Sequence, residues 1–284
     1  MKQELMGWGK KWPAPAKINL MLRITGQRED GYHLLQTVFQ LTDLCDWLTF
    51  HRVDGDSIFL DKPIPGVPEE QDLTIRAANL LRQETGCQQG VRIGVEKNLP
   101  MGGGLGGGSS DAATTLVVLN RLWGLKLSEQ RLMQLGLQLG ADVPVFVFGR
   151  AAWAEGVGEK LQKIEPAEKW LVIIKPDCHV DTKEIFSEKG LTRDSDSIIM
   201  ANFIAGQHQN DCLDVVCSKY QPVKDALTDL AVFSEARLTG TGACVFAQFN
   251  SKELAEHACN ELSGKWQVYL AQGLNESMLK EHLV

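Results

Sequence analysis

Between strand-like VRIGVEK and a helical run lies PMGGGLGGGSSD: Pro100, Met101, Gly102, Gly103, Gly104, Leu105, Gly106, Gly107, Gly108, Ser109, Ser110 and Asp111. Six glycines in seven positions cost backbone entropy and supply no side chains for packing, so their use must lie in the bare backbone. Successive N–H groups leading into a helix form a concave donor surface at the positive end of a dipole, and phosphate is its natural occupant. Gly102, Gly104 and Gly107 also satisfy GxGxxG. A dinucleotide loop, however, follows its strand directly and is answered about twenty residues on by an acidic residue ending the next strand. Here Asn98, Leu99 and Pro100 intervene, and Glu129 falls in a helix. A P-loop would need Gly-Lys-Ser or Gly-Lys-Thr, whereas Gly108 runs straight into Ser109, so any cation on the phosphate comes from elsewhere. Ser109 and Ser110 open the helix, where either can cap it or reach a phosphate oxygen.

The elements that must position this loop follow from patterning. Ile18–Thr25, HLLQTVFQL and WLTFHR read as strands, with GQREDGY and LCD as the turns between them. On the first strand, alternation sets Lys17, Asn19 and Met21 on one face and Ile18, Leu20 and Leu22 on the other. Proline-rich DKPIPGVPEEQ is a surface loop before the helix LTIRAANLLRQET, capped by Asp72 and stopped at Gly86. The loop helix ends at Gly124, and another runs from Ser128 to Gly140. ADVPVFVFG reads as a turn and AAWAEGVGEKL as a hairpin. After EPAEKW the pattern restarts: strand WLVIIK, helices to about Leu230, strands RLT and ACVFAQF, helix SKELAEHACNEL and strand WQVYLA. The class is α+β in two domains, 1–165 and 166–284, with residues 1–10 a short extension whose Trp8 is a packing anchor.

The 284 residues carry a formal charge of -7 and a pI near 5.4, which gives no attraction to a nucleic-acid backbone. Seven scattered cysteines without a CxxC pair fit reduced thiols in a cytoplasmic protein, and no apolar run approaches a membrane span. The histidines show no HxH or HExxH spacing, so no zinc site is expected.

PMGGGLGGGSSDAA resembles the phosphate motif of the galactokinase, homoserine kinase, mevalonate kinase and phosphomevalonate kinase (GHMP kinase) superfamily. PAPAKINLML (13–22), GQREDGYH (26–33), GADVPVFVFG (140–149) and LTGTGACVF (238–246) are similar, in order and spacing, to the kinases acting on 4-diphosphocytidyl-2-C-methyl-D-erythritol. The resemblance spans nearly the whole chain. It departs where Thr239 and Thr241 stand at sites that often carry serine, and where NDCLD replaces the commoner NDLE. It implies an N-terminal domain like the second domain of ribosomal protein S5 and a ferredoxin-like C-terminal domain. It also implies ATP as co-substrate, Mg2+ arriving with the nucleotide, and transfer of the γ-phosphoryl group to the tertiary 2-hydroxyl of a small substrate with a cytidine diphosphate moiety.

By the same resemblance Asp142 is the base and Lys17 its cationic partner, roles that the residues themselves leave open. Asp142 before Pro144 reads equally as an Asx turn, and Lys17 as an exposed strand lysine. The resemblance puts Tyr32 and His33 at the cytidine end, with Phe186 on the other face of the base. It likewise implies that Asn19, Thr239, Gly240, Thr241 and Gly242 face the substrate, although the residues from Thr239 to Gly242 read by themselves as a plain β turn. No metal ligand is assigned; Glu96 and Asp111 are the nearest carboxylates, more simply an exposed strand residue and a helix-start residue. The alternatives are another GHMP kinase, a nucleotide-binding regulator without catalysis and a NAD-linked oxidoreductase. Tyr32 and His33 discriminate against the first, and Lys17 with Asp142 against the second.

Overall fold

A computed structural model describes residues 7–283; residues 1–6, part of the expected extension, lie outside it. In chain order the elements are β1 (Lys11–Gln27), β2 (His33–Val53), β3 (Ile58–Leu60), α1 (Leu73–Thr85), β4 (Gly90–Glu96), α2 (Gly107–Leu122), α3 (Glu129–Leu139), α4 (Val143–Phe148), β5 (Ala152–Glu155) and β6 (Lys160–Lys163). There follow β7 (Trp170–Lys175), α5 (Thr182–Ser187), α6 (Met200–Ile204), α7 (Leu213–Lys219), α8 (Gln221–Ala231), β8 (Ala236–Leu238), β9 (Val245–Phe249), α9 (Lys252–Leu262), β10 (Gln267–Leu274) and α10 (Met278–Leu283). The chain is α+β. None of the described helices is long and apolar enough to cross a membrane.

Three expectations need correction. The first strand begins at Lys11, not Ile18, so Pro13 and Pro15 lie inside it. They are tolerated because β1 pairs with β2 alone and a proline on a strand edge leaves no ladder donor missing. Leu44–Asp46 is not a turn: β2 runs through it as one strand of 21 residues. Asp46, the polar residue that suggested a turn, is buried because its Oδ1 accepts the N–H groups of Asn98 (2.6 Å) and Leu99 (2.8 Å). Finally, VPVFVF is helix α4, with Pro144 in its first turn, where its missing N–H would be unpaired anyway, and Gly149 in the left-handed conformation at its end.

The sheet runs β3-β4-β2-β10-β7-β9-β8, with β1 and β5 also on β2, and β6 on β5. β2 therefore belongs to the first half of the chain, yet through Thr42 and Leu41 it also takes Gly273 and Leu274 of β10. One apolar core lies under α1–α4 and contains Leu48, Phe50, Leu81, Leu116 and Phe146. A second lies under α7–α9, around Val172, Ile174, Val223 and Leu230. Trp8 packs on the first, as expected of an anchor, and so does Leu279 of α10, which returns from the far end of the chain. A third cluster joins the halves, with Ile18, Leu20, Met21 and Leu105 against Leu171, Ile173, Cys244 and Phe246. Each such fully buried side chain is worth roughly 1.5–3 kcal/mol, so the seam that carries the site adds its own stabilisation to that of the two cores.

Candidate active site

Lys17 stands on β1 at the seam. Its register partner is Leu41, Asn19 faces Phe39, and Met21 then faces Val38, so Leu20 is an extra residue in a β-bulge. The bulge breaks the simple alternation. Met21 turns into the seam cluster with Ile18 and Leu20, while Lys17, Asn19 and Leu22 line the cavity. The Lys17 ammonium is buried and correspondingly well partnered: it donates to Asn19 Oδ1 (2.7 Å) and Gly104 O (3.0 Å), and lies 3.3 Å from Asp142 Oδ2. Asn19 is itself held, its Nδ2 donating to Thr37 Oγ1 (2.8 Å) and its backbone N–H to Thr239 Oγ1 (3.0 Å). The Asp142 side chain is 38% exposed against 4% for Lys17. Asp142 sits at the N-cap position of α4 but makes no capping bond, so apart from its pairing with Lys17 its carboxylate is open to the cavity.

The glycine loop docks on the Thr239–Gly242 loop between β8 and β9. A Cβ on Gly104 would stand 2.8 Å from both Thr239 O and Gly242 O, and φ there is +76°. Only glycine fits that approach without strain. Lys17 N–H donates to Leu105 O (3.0 Å), which ties the loop to β1. Helix α2 starts at Gly107, two residues earlier than expected, and its N-cap is Gly106 with no side-chain cap. Neither serine caps the helix: Ser110 is buried with an unpaired hydroxyl and donates its N–H to Gly106 O, while Ser109 faces the cavity. The first-turn N–H groups are left for a ligand.

Beneath this turn lies an ionic cluster that the sequence did not disclose. Lys97 Nζ reaches Asp111 Oδ2 (2.8 Å) and also bonds Asp46 Oδ2. Two carboxylates share one ammonium. Asp46 is saturated by backbone donors, whereas Asp111 Oδ1 is buried and unpaired. Burial pushes the Asp111 carboxyl up to about 7 against the pull of Lys97, with Asp46 adding to the rise. Burial works against the charged form of Lys97, but the two carboxylates raise its pKa above the ordinary value.

From Lys17 and Asp142 a cavity of about 830 Å³ extends to Tyr32, His33 and Phe186. Tyr32 is 61% exposed, so it does not plug its loop onto the core. The turn before it is pinned by Asp30 Oδ1, which accepts Tyr32 N–H (3.2 Å). The His33 ring stacks on Phe186 with centroids 4.8 Å apart and planes at 26°. Phe186, on α5, also packs against the second core. Thr182 and Thr241 exchange a hydroxyl hydrogen bond of 2.9 Å at the cavity wall.

Of the expected site residues, Lys17, Asn19, Tyr32, His33, Gly104, Ser109, Asp142, Phe186, Gly240 and Thr241 line one cavity. Thr239 and Gly242 stand behind it as the seat for Gly104, and Met101 is exposed. Glu96 is an exposed residue paired with Lys11 (2.6 Å), and Asp111 is engaged by Lys97, so neither turns to the cavity. Thr37, Thr182 and Arg193 on the wall gave no sequence signal. No three His, Cys, Asp or Glu side chains converge as a metal cage among the described residues. The oxygen donors at the glycine-loop end of the cavity, Asp142 and Ser109, are too few for a cage and would fit only a cation that keeps most of its water and arrives with its own ligands.

Comparison with known proteins gives the same grouping. The GHMP kinases N terminal domain matches residues 72–150, and the GHMP kinases C terminal domain matches 191–268. The 4-diphosphocytidyl-2-C-methyl-D-erythritol kinase of Methylococcus capsulatus is 58% identical over 95% of this chain and 94% of its own length. That of Nitrosococcus oceani is 54% identical over 96% and 97%. A crystal structure of a 4-(cytidine 5'-diphospho)-2C-methyl-D-erythritol kinase superposes with a TM-score of 0.81 at 29% identity, covering 93% of this chain and 98% of that one. A mevalonate kinase structure, at 16% identity and a TM-score of 0.68 over 94% and 99%, shares the fold alone. With two matched domains and relatives this similar over nearly their whole length, the chain belongs to the 4-diphosphocytidyl-2-C-methyl-D-erythritol kinase family of the GHMP kinases.

Proposed function

We propose that the chain transfers the γ-phosphoryl group of ATP to the tertiary 2-hydroxyl of 4-diphosphocytidyl-2-C-methyl-D-erythritol, giving the 2-phosphate and ADP, a step of the non-mevalonate (MEP) route to isoprenoid precursors. Residues 1–165 and 166–284 act as its two units, with α10 reaching back across the seam. The observation that carries this reading is one continuous cavity, with Lys17 3.3 Å from Asp142 beside Gly104 at one end and Tyr32, His33 and Phe186 at the other.

Asp142 accepts the proton of the hydroxyl as its oxygen attacks phosphorus; the bond to the ADP oxygen breaks and ADP leaves with the electron pair. Lys17 stabilises the negative charge building on the transferring group. It is pre-oriented by Asn19 and Gly104 O, so no reorganisation is needed at the moment of reaction. The backbone from Gly102 to Ser109 and the open turn of α2 hold the phosphates. Mg2+ accompanies the nucleotide and neutralises phosphate charge when bound, with Asp142 and Ser109 as the available protein oxygens. The base lies against Tyr32 and His33, with Phe186 backing the imidazole. The seven free cysteines fit a reducing, cytoplasmic setting.

The test is ADP release, coupled to a spectroscopic readout, with the cytidine diphosphate substrate, mevalonate and homoserine in parallel. Turnover of the first alone is expected; turnover of mevalonate or homoserine without it overturns the assignment.

A further inference from the structure

Arg193 lies on the segment after α5 and reaches the cavity at the His33–Phe186 stack. Its Nε donates to His33 Nε2 at 3.2 Å. The rest of the guanidinium is fixed by main-chain carbonyls: Nη1 donates to Leu191 O (3.1 Å), and Nη2 to Phe186 O and Glu188 O (2.8 Å each). The fork is therefore spent on the end of α5 and the segment that follows it, and one donor is aimed at the imidazole. Among the described residues no carboxylate forms an ion pair with it.

A guanidinium donates and never accepts, and it does not deprotonate in a protein. The nitrogen facing it must then present a lone pair, which places the proton of a neutral imidazole on Nδ1. We infer that Arg193 is a positioning residue for base recognition, holding His33 as the neutral Nδ1–H tautomer and fixing its plane against Phe186. His33 thereby offers a ligand one donor, from Nδ1, and a flat face. An imidazolium would put an N–H against a fixed cation. The ordinary pKa of His33 is lowered, by burial first and by the Arg193 charge second. The other charged groups on the wall are Asp30 in the preceding turn, Lys183 on α5, and Lys17 and Asp142 at the phosphate end.

The inference deepens the proposed function, since it supposes that the base lies against His33, but the state of the imidazole in the free enzyme does not depend on that supposition. Nitrogen-15 NMR of histidine-labelled enzyme, without substrate, is expected to show His33 with an unprotonated Nε2 and a protonated Nδ1 at neutral pH. In Arg193→Met and in the milder Arg193→Lys, the tautomers should mix and the ring should titrate at higher pH. In steady state, Arg193→Met should raise KM for the cytidine diphosphate substrate about tenfold, the worth of one hydrogen bond to a charged group, with kcat nearly unchanged. The rise should be larger at pH 6 than at pH 8, and absent when His33 is already Gln, as a double-mutant cycle requires of a residue acting through another. A His33 signal indifferent to both Arg193 substitutions overturns the inference whatever the substrate proves to be. An equal KM rise at every pH that persists in the His33→Gln background would reduce Arg193 to a loop tie and likewise overturn it. Altered tautomers with no turnover of the cytidine diphosphate substrate would uphold the imidazole assignment and sink the functional reading instead.

Discussion

The two ends of the cavity are built from different material. At the end proposed for the phosphates the contacts are backbone or deeply buried: Gly104 wedged against Thr239 O and Gly242 O, Lys17 closed in by Asn19 and Asp142, and an ionic cluster under the first turn of α2. At the end proposed for the base they are side chains: Tyr32, largely exposed on a turn, and His33 at the start of β2, resting on Phe186 of α5. Phosphate recognition needs donors held at fixed positions, which main chain and packed cores supply; a base is recognised by faces and edges, which only side chains supply. A shared fold can therefore keep one end of such a cavity while the side chains at the other end vary; under the proposed function Tyr32, His33 and Phe186 are the ones that would set what is bound.

If that contrast holds, substitutions at the phosphate end should act on chemistry and those at the base end on binding. The largest effect is expected for Asp142→Asn, which keeps the shape and removes the proton acceptor. A positioned general base is typically worth about 100- to 10,000-fold, so kcat should fall by that order with KM for ATP little changed. Single-turnover rates at saturating ATP are the measurement, and preserved turnover would remove Asp142 from the mechanism.

Gly104→Ala comes next. The added methyl meets two carbonyl oxygens at 2.8 Å on a backbone with φ of +76°, so the two loops must separate. A displacement of about 1 Å in a positioning loop can cost on the order of 100-fold, here expected in kcat/KM for ATP, with a stability loss of roughly 1–3 kcal/mol in urea unfolding. Normal ATP kinetics would mean that the loop-on-loop contact is not what shapes the phosphate seat. At the other end, Tyr32→Ala removes an exposed ring that contributes little to folding. Loss of one stacking face, worth about 1–3 kcal/mol, should raise KM for the cytidine diphosphate substrate about five- to 100-fold with kcat within a factor of a few. A fall in kcat alone would erase the division between the ends.

How much of this could be read beforehand depended on the range of the interaction. The Asp72 cap and the Gly86 stop are local signals and stand where expected, and the glycine loop joins strand to helix as expected although its last two glycines already belong to α2. Lys17 and Asn19 share a face because they precede the bulge; Met21 does not, and nothing in Asn19-Leu20-Met21 announces an extra residue that only the pairing with Phe39 and Val38 creates. Asp46 inside β2 looked like a turn because its partners, Asn98, Leu99 and Lys97, are about fifty residues away and become visible only on folding. VPVFVF carries strand-forming residues, yet its burial among α2 and α3 side chains makes it a helix, a case of tertiary context overriding propensity. Arg193 sits in polar LTRDSDS, where no period or motif marks one residue above its neighbours.

The smallest effect tests whether the phosphate end is as insulated as its burial suggests. The Asp111 carboxyl is raised from 3.8 to about 7, mainly by burial. Between those values the folded chain holds a proton that the unfolded chain has released. Its contribution to stability is therefore complete below the unfolded pKa and is lost as pH rises through about 7. Asp111→Asn keeps the shape, cannot titrate, and leaves Lys97 balanced by Asp46 alone. Its stability relative to the parent should accordingly improve from pH 5 to pH 8, by on the order of 1–3 kcal/mol, in urea unfolding at the two pH values. A constant offset would show that Lys97 keeps both carboxylates ionised throughout. The cluster would then be an ordinary buried ion triad, and the floor of the phosphate site would be indifferent to pH across that range.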